Sequence, residues 1–278
     1  MPDKQVDYDR IAPGYNQRCA VGSEQRGMTA ALLALAEAQA RAGAQARAGA
    51  QARAETRSVE LVLEVGCGTG HWLASLRPAT DRLYGLDLSA GMLEQARSRE
   101  ERLTLARGRA CRLPLADACA DLVYCVNAIH HFQRQRDFVL EARRLLRPGG
   151  TLVVAGMDPR AHRHRWYVYD YFVGTYETDL DRFPSWGTVL DWMVEAGFER
   201  IEWRLEERIE DHKVDREVFS DPFLQRDAGS QLTLLTDEAY AAGLRRIATA
   251  LAESEAKGAS ITFPTDLWQA MLVGRVGA

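Results

Sequence analysis

Three glycines spaced two residues apart follow directly after an apolar run in this chain. The run reads Val-Leu-Glu-Val-Gly-Cys-Gly-Thr-Gly over residues 62–70, with the glycines at Gly66, Gly68 and Gly70. Glycine adopts positive φ without strain and lets a ligand approach the backbone, and a following helix offers unpaired N–H groups to polar ligand atoms. The pattern predicts a turn that binds a nucleotide-like ligand, and a plain strand-to-helix turn is the alternative.

An acidic residue favours the ligand-binding interpretation. The apolar stretch 83–88 places Asp87 at the end of a second predicted strand, 17 residues past Gly70. A carboxylate at this point can accept hydrogen bonds from both hydroxyls of a ribose. Dinucleotide-binding turns read G-x-G-x-x-G, whereas this turn reads G-x-G-x-G and has Glu64 two residues ahead of it. The spacing therefore indicates a different nucleoside-containing cofactor.

The order of motifs resembles that of class I S-adenosylmethionine-dependent methyltransferases, in particular the small-molecule enzymes that include the ubiquinone and menaquinone C-methyltransferases. The resemblance covers residues 5–156 and rests on segments 64–70, 87–92, 113–115 and 146–150. It implies S-adenosyl-L-methionine as cofactor and S-adenosyl-L-homocysteine as product. It also implies a Rossmann-like, doubly wound α/β fold with a mostly parallel seven-stranded sheet, an N-terminal helical segment, and helical and aromatic cap insertions.

Hydrophobic patterning predicts the same fold class, because short apolar runs alternate with amphipathic segments. We expect a helix from 185 to 197 and a second helix from Asp237 to Glu255, with Thr236 as its N-terminal cap. The remaining predicted helices lie near 70–77, 89–99 and 134–146, and the predicted strands near 59–65, 82–87, 103–107, 121–126, 150–155, 199–207 and 268–276.

Three domain-level segments are predicted. Residues 1–35 form a helical segment that closes over the cofactor, and residues 36–57 form a low-complexity Ala/Arg/Gln spacer built from a six-residue repeat. A six-residue step does not place the repeated arginines on one helix face, so a solvated helical extension or a mobile spacer is expected. Residues 58–278 form the methyltransferase domain, with lid insertions near 157–184 and 210–262.

The resemblance also assigns roles to individual residues. The turn and Glu64 hold the methionine end of the cofactor, Asp87 holds its ribose, and hydrophobic side chains border the adenine. Tyr15 and Arg18 close over the methionine end from the N-terminal segment. The cofactor-binding residues implied in this way are Tyr15, Arg18, Glu64, Gly66, Gly68, Gly70, Asp87, Leu88, Met92, Ala110, Cys111 and Asn127.

Two places leave the chemistry open. Arg109 stands where family members often have an acid that contacts the adenine amino group, so that contact cannot come from this side chain. After the fourth predicted strand, His130 and His131 lie beside the expected methyl-transfer position. If strand geometry persists they point in different directions, so at most one of them faces the substrate. Resemblance to some sugar N-methyltransferases of this class makes His131 the better general-base candidate. A histidine that only caps the strand end is the alternative.

Composition argues against nucleic acid, a membrane or a metal ion as a partner of this chain. The net charge of −4 provides no basic field for nucleic acid, and no apolar run approaches the length of a membrane span. The five cysteines lack C-x-x-C spacing, so we expect no metal site, and Cys67, Cys111 and Cys125 should be buried thiols.

We therefore expect a cytoplasmic enzyme that methylates O, N or C of a small molecule, with secondary metabolites as the class of acceptor. A tRNA or protein methyltransferase and a non-catalytic cofactor-binding regulator are the alternatives. Oligomeric state is left open, with a homodimer as one option.

Overall fold

The computed structural model describes residues 6–19, 26–50, 61–161, 164–227 and 229–277, with the side chains of 16–19 and 43–50 outside the description. Three 3₁₀ helices cover Ile129–His131, Asp215–Ser220 and Pro222–Leu224. The α-helices are α1 Tyr8–Cys19, α2 Arg26–Ala50, α3 His71–Ser75, α4 Ala90–Arg99, α5 Gln135–Leu145, α6 Tyr167–Tyr171, α7 Thr175–Arg182, α8 Trp186–Glu195, α9 Ser230–Thr233 and α10 Asp237–Ala256. The strands are β1 Val62–Val65, β2 Leu83–Asp87, β3 Thr104–Arg107, β4 Ala120–Val126, β5 Leu146–Gly156, β6 Arg165–Trp166, β7 Phe198–Val214 and β8 Thr262–Val276.

A mostly parallel sheet organises the chain and confirms the predicted fold class. Its order is β3-β2-β1-β4-β5-β8, and β7 also pairs with β8. The pairs from β3 to β5 are parallel, whereas β8 runs antiparallel to β5. With the two-residue β6, which pairs with β8 at Arg165 and Trp166, the described sheet has eight strands, so the prediction of seven is wrong by one short strand.

The chain divides into two compact units, and the larger contains Gln25–Gly156, Ser185–Glu207 and Ala270–Ala278. Alternate residues of its strands face two separate apolar clusters, as the two-residue period of a strand requires. On one face Val123 and Val154 pack with residues of α5 and α8, and on the other Leu122 and Val153 pack with residues of α2 and α3. Helices therefore cover both faces of the sheet.

Helix α2 packs its first half against the sheet, and this contact extends into the predicted spacer. Met28 and Leu32 are fully buried in the cluster that faces α2. Further along, the Gln39 side chain donates to Thr151 Oγ1 at 2.6 Å and to the Gly149 carbonyl at 3.2 Å. The beginning of the predicted spacer therefore contacts β5, and its role as a spacer stays a prediction. Residues 51–57 of the predicted spacer lie outside the described residues.

The smaller unit contains Met1–Glu24, Met157–Pro184 and Arg208–Gln269. Its core is aromatic, with Tyr167, Phe172 and Phe263 fully buried. Helix α10 begins at the predicted cap, since the Ala239 N–H donates to Thr236 Oγ1 at 3.2 Å. Buried in this helix are Ile247 and Leu251, which pack on the aromatic core.

Two strands are longer than their sequence patterns predict. β7 continues to Val214, beyond the predicted end at 207, and β8 begins at Thr262, before the predicted start at 268. Among the helices that the structure describes, none is long and apolar enough to cross a membrane.

Candidate functional site

The glycine turn connects β1 to α3 at the carboxyl end of the parallel sheet. Gly66, Gly68 and Gly70 have φ angles of 75°, 51° and 71°, in the left-handed region that favours glycine. The N–H groups of Gly66 and Cys67 both donate to the Leu86 carbonyl, at 2.7 and 3.1 Å. These bonds fix the turn against the end of β2.

Neighbouring atoms explain why Gly66 lacks a side chain, whereas Gly68 has open space around it. A Cβ on Gly66 would lie 2.7 Å from the Ala128 Cβ and 3.2 Å from the Phe132 ring, so the segment after β4 occupies that space. A Cβ on Gly68 would meet no atom within 4 Å. The backbone of Gly68 is therefore open on the side where a ligand can approach.

Asp87 ends β2 beside this turn. Its Oδ2 accepts the Gly68 N–H at 2.8 Å and its Oδ1 accepts the Ser89 N–H at 2.9 Å. Ser89 in turn caps α4 by accepting the Met92 N–H at 3.1 Å. Because a carboxylate has about four acceptor positions, both oxygens keep capacity for a ligand's hydroxyl groups.

The side chains predicted to border the adenine differ in exposure. Leu88 is 50% exposed directly after Asp87, whereas Met92 is 1% exposed in α4 and forms part of the protein interior. Ala110 packs partly buried against the apolar core, and Cys111 is also only partly buried, so the prediction of a buried thiol is wrong for Cys111. It is right for Cys67 and Cys125, where burial raises the thiol pKa.

Arg109 makes a contact that the sequence did not predict. Its Nη1 donates to the Gln133 side-chain oxygen at 2.7 Å. This bond joins the loop after β3 to the loop after β4, and the Arg112 N–H returns to the Arg109 carbonyl at 3.1 Å. The side chain in the family's acid position therefore links two loops of the site.

Glu64 lies within β1, two residues before the glycine turn, and is 1% exposed. The Tyr124 hydroxyl donates to its Oε2 at 3.2 Å. Burial raises the pKa of Glu64 well above its ordinary value, and the negative charge of Asp87 acts in the same direction. Tyr124 was not among the predicted site residues, although its hydroxyl within the otherwise apolar stretch 122–126 indicates a buried polar contact.

The histidine pair does not keep strand geometry. Residues Ile129–His131 form a 3₁₀ helix, in which the His131 N–H donates to the Ala128 carbonyl at 2.8 Å. The ring centroids of His130 and His131 are 4.0 Å apart, so the prediction that the two side chains diverge is wrong. Both rings are partly buried, and the contact of Ala128 and Phe132 with Gly66 brings their segment against the glycine turn.

Asn127 begins this segment with an unusual backbone conformation. Its φ is 48°, which asparagine tolerates better than most residues. The Asn127 N–H donates to the Ala155 carbonyl at 2.9 Å, and a Cβ on Gly156 would lie 3.1 Å from its Oδ1. Strained positions of this kind concentrate at functional sites, which supports the predicted role of Asn127 in binding.

The two predicted residues of the N-terminal segment belong to the smaller unit. Tyr15 lies in α1 with its ring 6.2 Å from that of Tyr8, edge to face. The side chain of Arg18 lies outside the described part of the chain. Their closing role stays a prediction.

The residues of the larger unit fit a cofactor with a ribose and an ammonium group. Asp87 has acceptor capacity for hydroxyls, and Gly68 has an open backbone. Glu64 Oε1 is buried and has no hydrogen-bond partner among the described residues, so one carboxylate oxygen remains for a donor from a ligand.

Comparison with known proteins shows what the segment around this site is similar to. Residues 63–154 match a family model described as a methyltransferase domain. A demethylmenaquinone methyltransferase of Lactiplantibacillus plantarum is 27% identical over 174 residues, which cover 51% of this chain and 72% of that protein. A 27-O-demethylrifamycin SV methyltransferase of Amycolatopsis mediterranei is 29% identical over 125 residues, which cover 39% of this chain and 46% of that protein.

Other curated relatives are matched over a shorter share, and the chain spans 32% to 37% of the length of three of them. Among solved structures, the YcgJ protein of Bacillus subtilis has 19% sequence identity and a TM-score of 0.52, covering 81% of this chain and 95% of that one. This likeness shows a shared fold. Residues 63–154 therefore match a methyltransferase domain, the two relatives are named as methyltransferases, and the solved structure shares the fold of this chain.

Proposed function

We propose that this protein transfers a methyl group from S-adenosyl-L-methionine to a small-molecule acceptor, with S-adenosyl-L-homocysteine as product. The observation that carries the proposal is the Gly68–Asp87 pair, in which an open backbone and a ribose-accepting carboxylate are joined by a 2.8 Å hydrogen bond. The methyltransferase-domain match spans the same strands. The bound cofactor supplies an activated methyl group whose leaving group needs no proton.

The side chains of the larger unit would divide the work of binding. Asp87 accepts the ribose hydroxyls, Leu88 offers an exposed apolar surface to the adenine, and the glycine turn with Glu64 holds the methionine end. Arg109 fixes the two loops beside the adenine through Gln133. Correct positioning provides most of the rate enhancement available when the methyl group is already activated.

An acceptor hydroxyl or amine must also lose a proton. We assign that proton to His131, because a neutral imidazole is a suitable base and its 3₁₀ helix lies between Ala128 and Phe132, the two residues nearest to Gly66. The rifamycin relative, whose name describes methylation at oxygen, supports a hydroxyl acceptor from secondary metabolism. A carbon acceptor, as in menaquinone methylation, is the alternative that the other relative supports.

Cofactor binding and turnover test the proposal separately. Calorimetric titration should show binding of S-adenosyl-L-homocysteine, and Asp87→Ala should weaken it by at least about tenfold, since charged hydrogen bonds to two hydroxyls are lost. Asp81→Ala, at an exposed position before the same strand, is the matched control. Wild-type affinity in Asp87→Ala would remove this carboxylate from the site.

Methyl transfer is followed with methyl-labelled cofactor and a panel of phenols, alcohols and amines, with tRNA and protein fractions alongside. Label in a small molecule supports the proposal, whereas label in tRNA or protein, or binding without any transfer, supports one of the alternatives. With an active acceptor, His131→Ala should lower kcat by about a hundredfold without changing cofactor affinity. His130→Ala is the neighbouring control, and unchanged kcat in His131→Ala would exclude the base role.

A further inference from the structure

Glu64 and Tyr124 form a buried polar pair in the interior of the sheet. They are direct register partners on the adjacent parallel strands β1 and β4, so their side chains leave the same face side by side. Tyr124 is completely buried and Glu64 is 1% exposed. The only polar atom of Tyr124's ring donates to Glu64 Oε2 at 3.2 Å, which fixes one oxygen of the carboxylate.

The second oxygen of this carboxylate is in a different situation. Glu64 Oε1 is buried and has no hydrogen-bond partner in the described part of the chain. A buried acceptor without a donor is unfavourable, so each such group in a native protein needs an explanation, and a catalytic role or a bound water or ion is among the usual ones. Glu64 lies two residues before the glycine turn, and the backbone of this turn is open to a ligand at Gly68.

We propose that Tyr124 is a positioning residue that holds Glu64 by Oε2 and so leaves Oε1 to accept the ammonium group of the cofactor's methionine part. The inference rests on the proposed function and adds a residue outside the glycine motif to it. Without the tyrosine hydroxyl, the carboxylate can rotate and its ionised form loses a donor. Both changes disfavour the form that binds a cation.

The surroundings of Glu64 raise its pKa, so its contact with the ammonium group depends on the protonation of this carboxyl. Asp87 raises the pKa of Glu64 beyond the effect of burial, while the Tyr124 hydroxyl and the nearby Leu73 N–H oppose the rise. Two further titratable groups interact with Glu64: Cys67 in the glycine turn and Cys125, which follows Tyr124 in β4 and packs on the opposite face of the sheet. Burial raises the pKa of both thiols, which favours their neutral forms. In molecules where Glu64 is protonated before binding, the ammonium group displaces the proton: the Glu64 O–H bond breaks, the proton passes to the buffer, and the ionised oxygen accepts an N–H.

The test is calorimetric titration of S-adenosyl-L-homocysteine into the full chain, from pH 5.5 to 8, in two buffers with different ionisation enthalpies. The wild type should release protons on binding and bind more tightly as pH rises. Tyr124→Phe keeps the ring and removes the hydroxyl. It should weaken binding by about tenfold at the acidic end, converge towards the wild type at the alkaline end, and shift proton release to higher pH.

Two controls separate positioning from a structural effect. Glu64→Gln should abolish the proton release, and Tyr124→Phe added to it should not change the pH dependence further. 5′-Methylthioadenosine, which lacks the amino-acid part, should bind the wild type without releasing that proton. Thermal melting of each variant checks that it folds, and Glu64→Gln remains as a test if Tyr124→Phe does not.

Three results would overturn the inference. An equal loss of affinity at every pH in Tyr124→Phe assigns the tyrosine a structural role. Wild-type affinity for S-adenosyl-L-homocysteine in Glu64→Gln removes the Glu64 contact and leaves the proposed function intact. Failure of both ligands to bind the wild type overturns the proposed function and this inference with it.

Discussion

Gly68 and Gly149 place the same demand on the backbone at different ends of the parallel strands. Their φ angles are 51° and 79°, and a Cβ on either would meet no atom within 4 Å. Gly68 follows the carboxyl end of β1, whereas Gly149 lies in the first half of β5. The two residues therefore allow the cost of the conformation to be separated from the cost of blocking a ligand.

Alanine at either position should lower stability by a similar amount, about 1–2 kcal/mol, because both side chains would adopt left-handed geometry. Only Gly68→Ala should also weaken binding of S-adenosyl-L-homocysteine, because its Cβ enters the open side of the turn. Urea denaturation and calorimetric titration measure the two effects. Equal loss of affinity in both variants would show that the turn is not the cofactor site.

Individual residues show where sequence reasoning succeeds. The three glycines and Asp87 were predicted because their backbone and charge requirements are local, and the structure brings them together. Arg109 was recognised as a departure, but its bond to Gln133 joins loops 24 positions apart and has no local signal. Tyr124 belongs to the site through strand register, which the sequence alone does not specify.

At the scale of elements, α2 shows how a local repeat and a packed face share one helix. The repeat carries no apolar stripe, yet the residues before it bury Leu32 completely against the sheet. Arg41, four residues after Glu37 and paired with it at 3.5 Å, is exposed within the same helix. The packed face and the solvated face should therefore respond differently to truncation.

Leu32→Ala should lower the free energy of unfolding by about 2–5 kcal/mol, because it opens a cavity in a fully buried cluster. Arg41→Ala, the matched control, should change it by less than about 0.5 kcal/mol, since exposed ion pairs contribute little. Urea denaturation at neutral pH measures both. A small effect of Leu32→Ala would mean that α2 is not part of the cooperatively folded core.

The positions of helices and strands were predictable where buried apolar residues repeat at a regular spacing along the sequence. The five parallel strands and helices α4, α5 and α8 lie close to the predicted ranges because their apolar residues repeat at strand or helix spacing. The extensions of β7 and β8 were not predicted, because most positions of β7 are exposed and alternate between acidic and basic residues. A solvated strand leaves little apolar pattern in the sequence.

At the scale of the whole molecule, the alternation of strands and helices predicted a doubly wound fold, but it did not specify how the remaining segments pack. The smaller unit combines three stretches that are far apart in the chain. Its core forms from aromatic residues of 166–172 with Ile247 and Phe263, contacts that no single segment encodes. The role of 157–184 as a substrate lid therefore stays a prediction.

Within this unit, His164 links two of those stretches by backbone contacts. Its Nδ1 accepts the Trp268 N–H at 3.2 Å, and its Nε2 lies 2.8 Å from the Asp158 carbonyl. The first contact needs an unprotonated Nδ1. Burial lowers the pKa of His164, although the nearby carboxylates of Asp158 and Asp266 oppose this effect.

The sign of the pH dependence follows from the lowered pKa. The folded protein resists protonation of His164 more than the unfolded chain does, so the contribution is fully present above the unfolded pKa of about 6.5 and is lost as pH falls towards the folded value. His164→Ala should therefore destabilise the protein more at pH 7.5 than at pH 5.5. His212→Ala, at an exposed histidine of the same unit, should show no such difference. Urea denaturation at both pH values measures the change, and a destabilisation by His164→Ala that is larger at pH 5.5 would mean that the protonated histidine stabilises the fold.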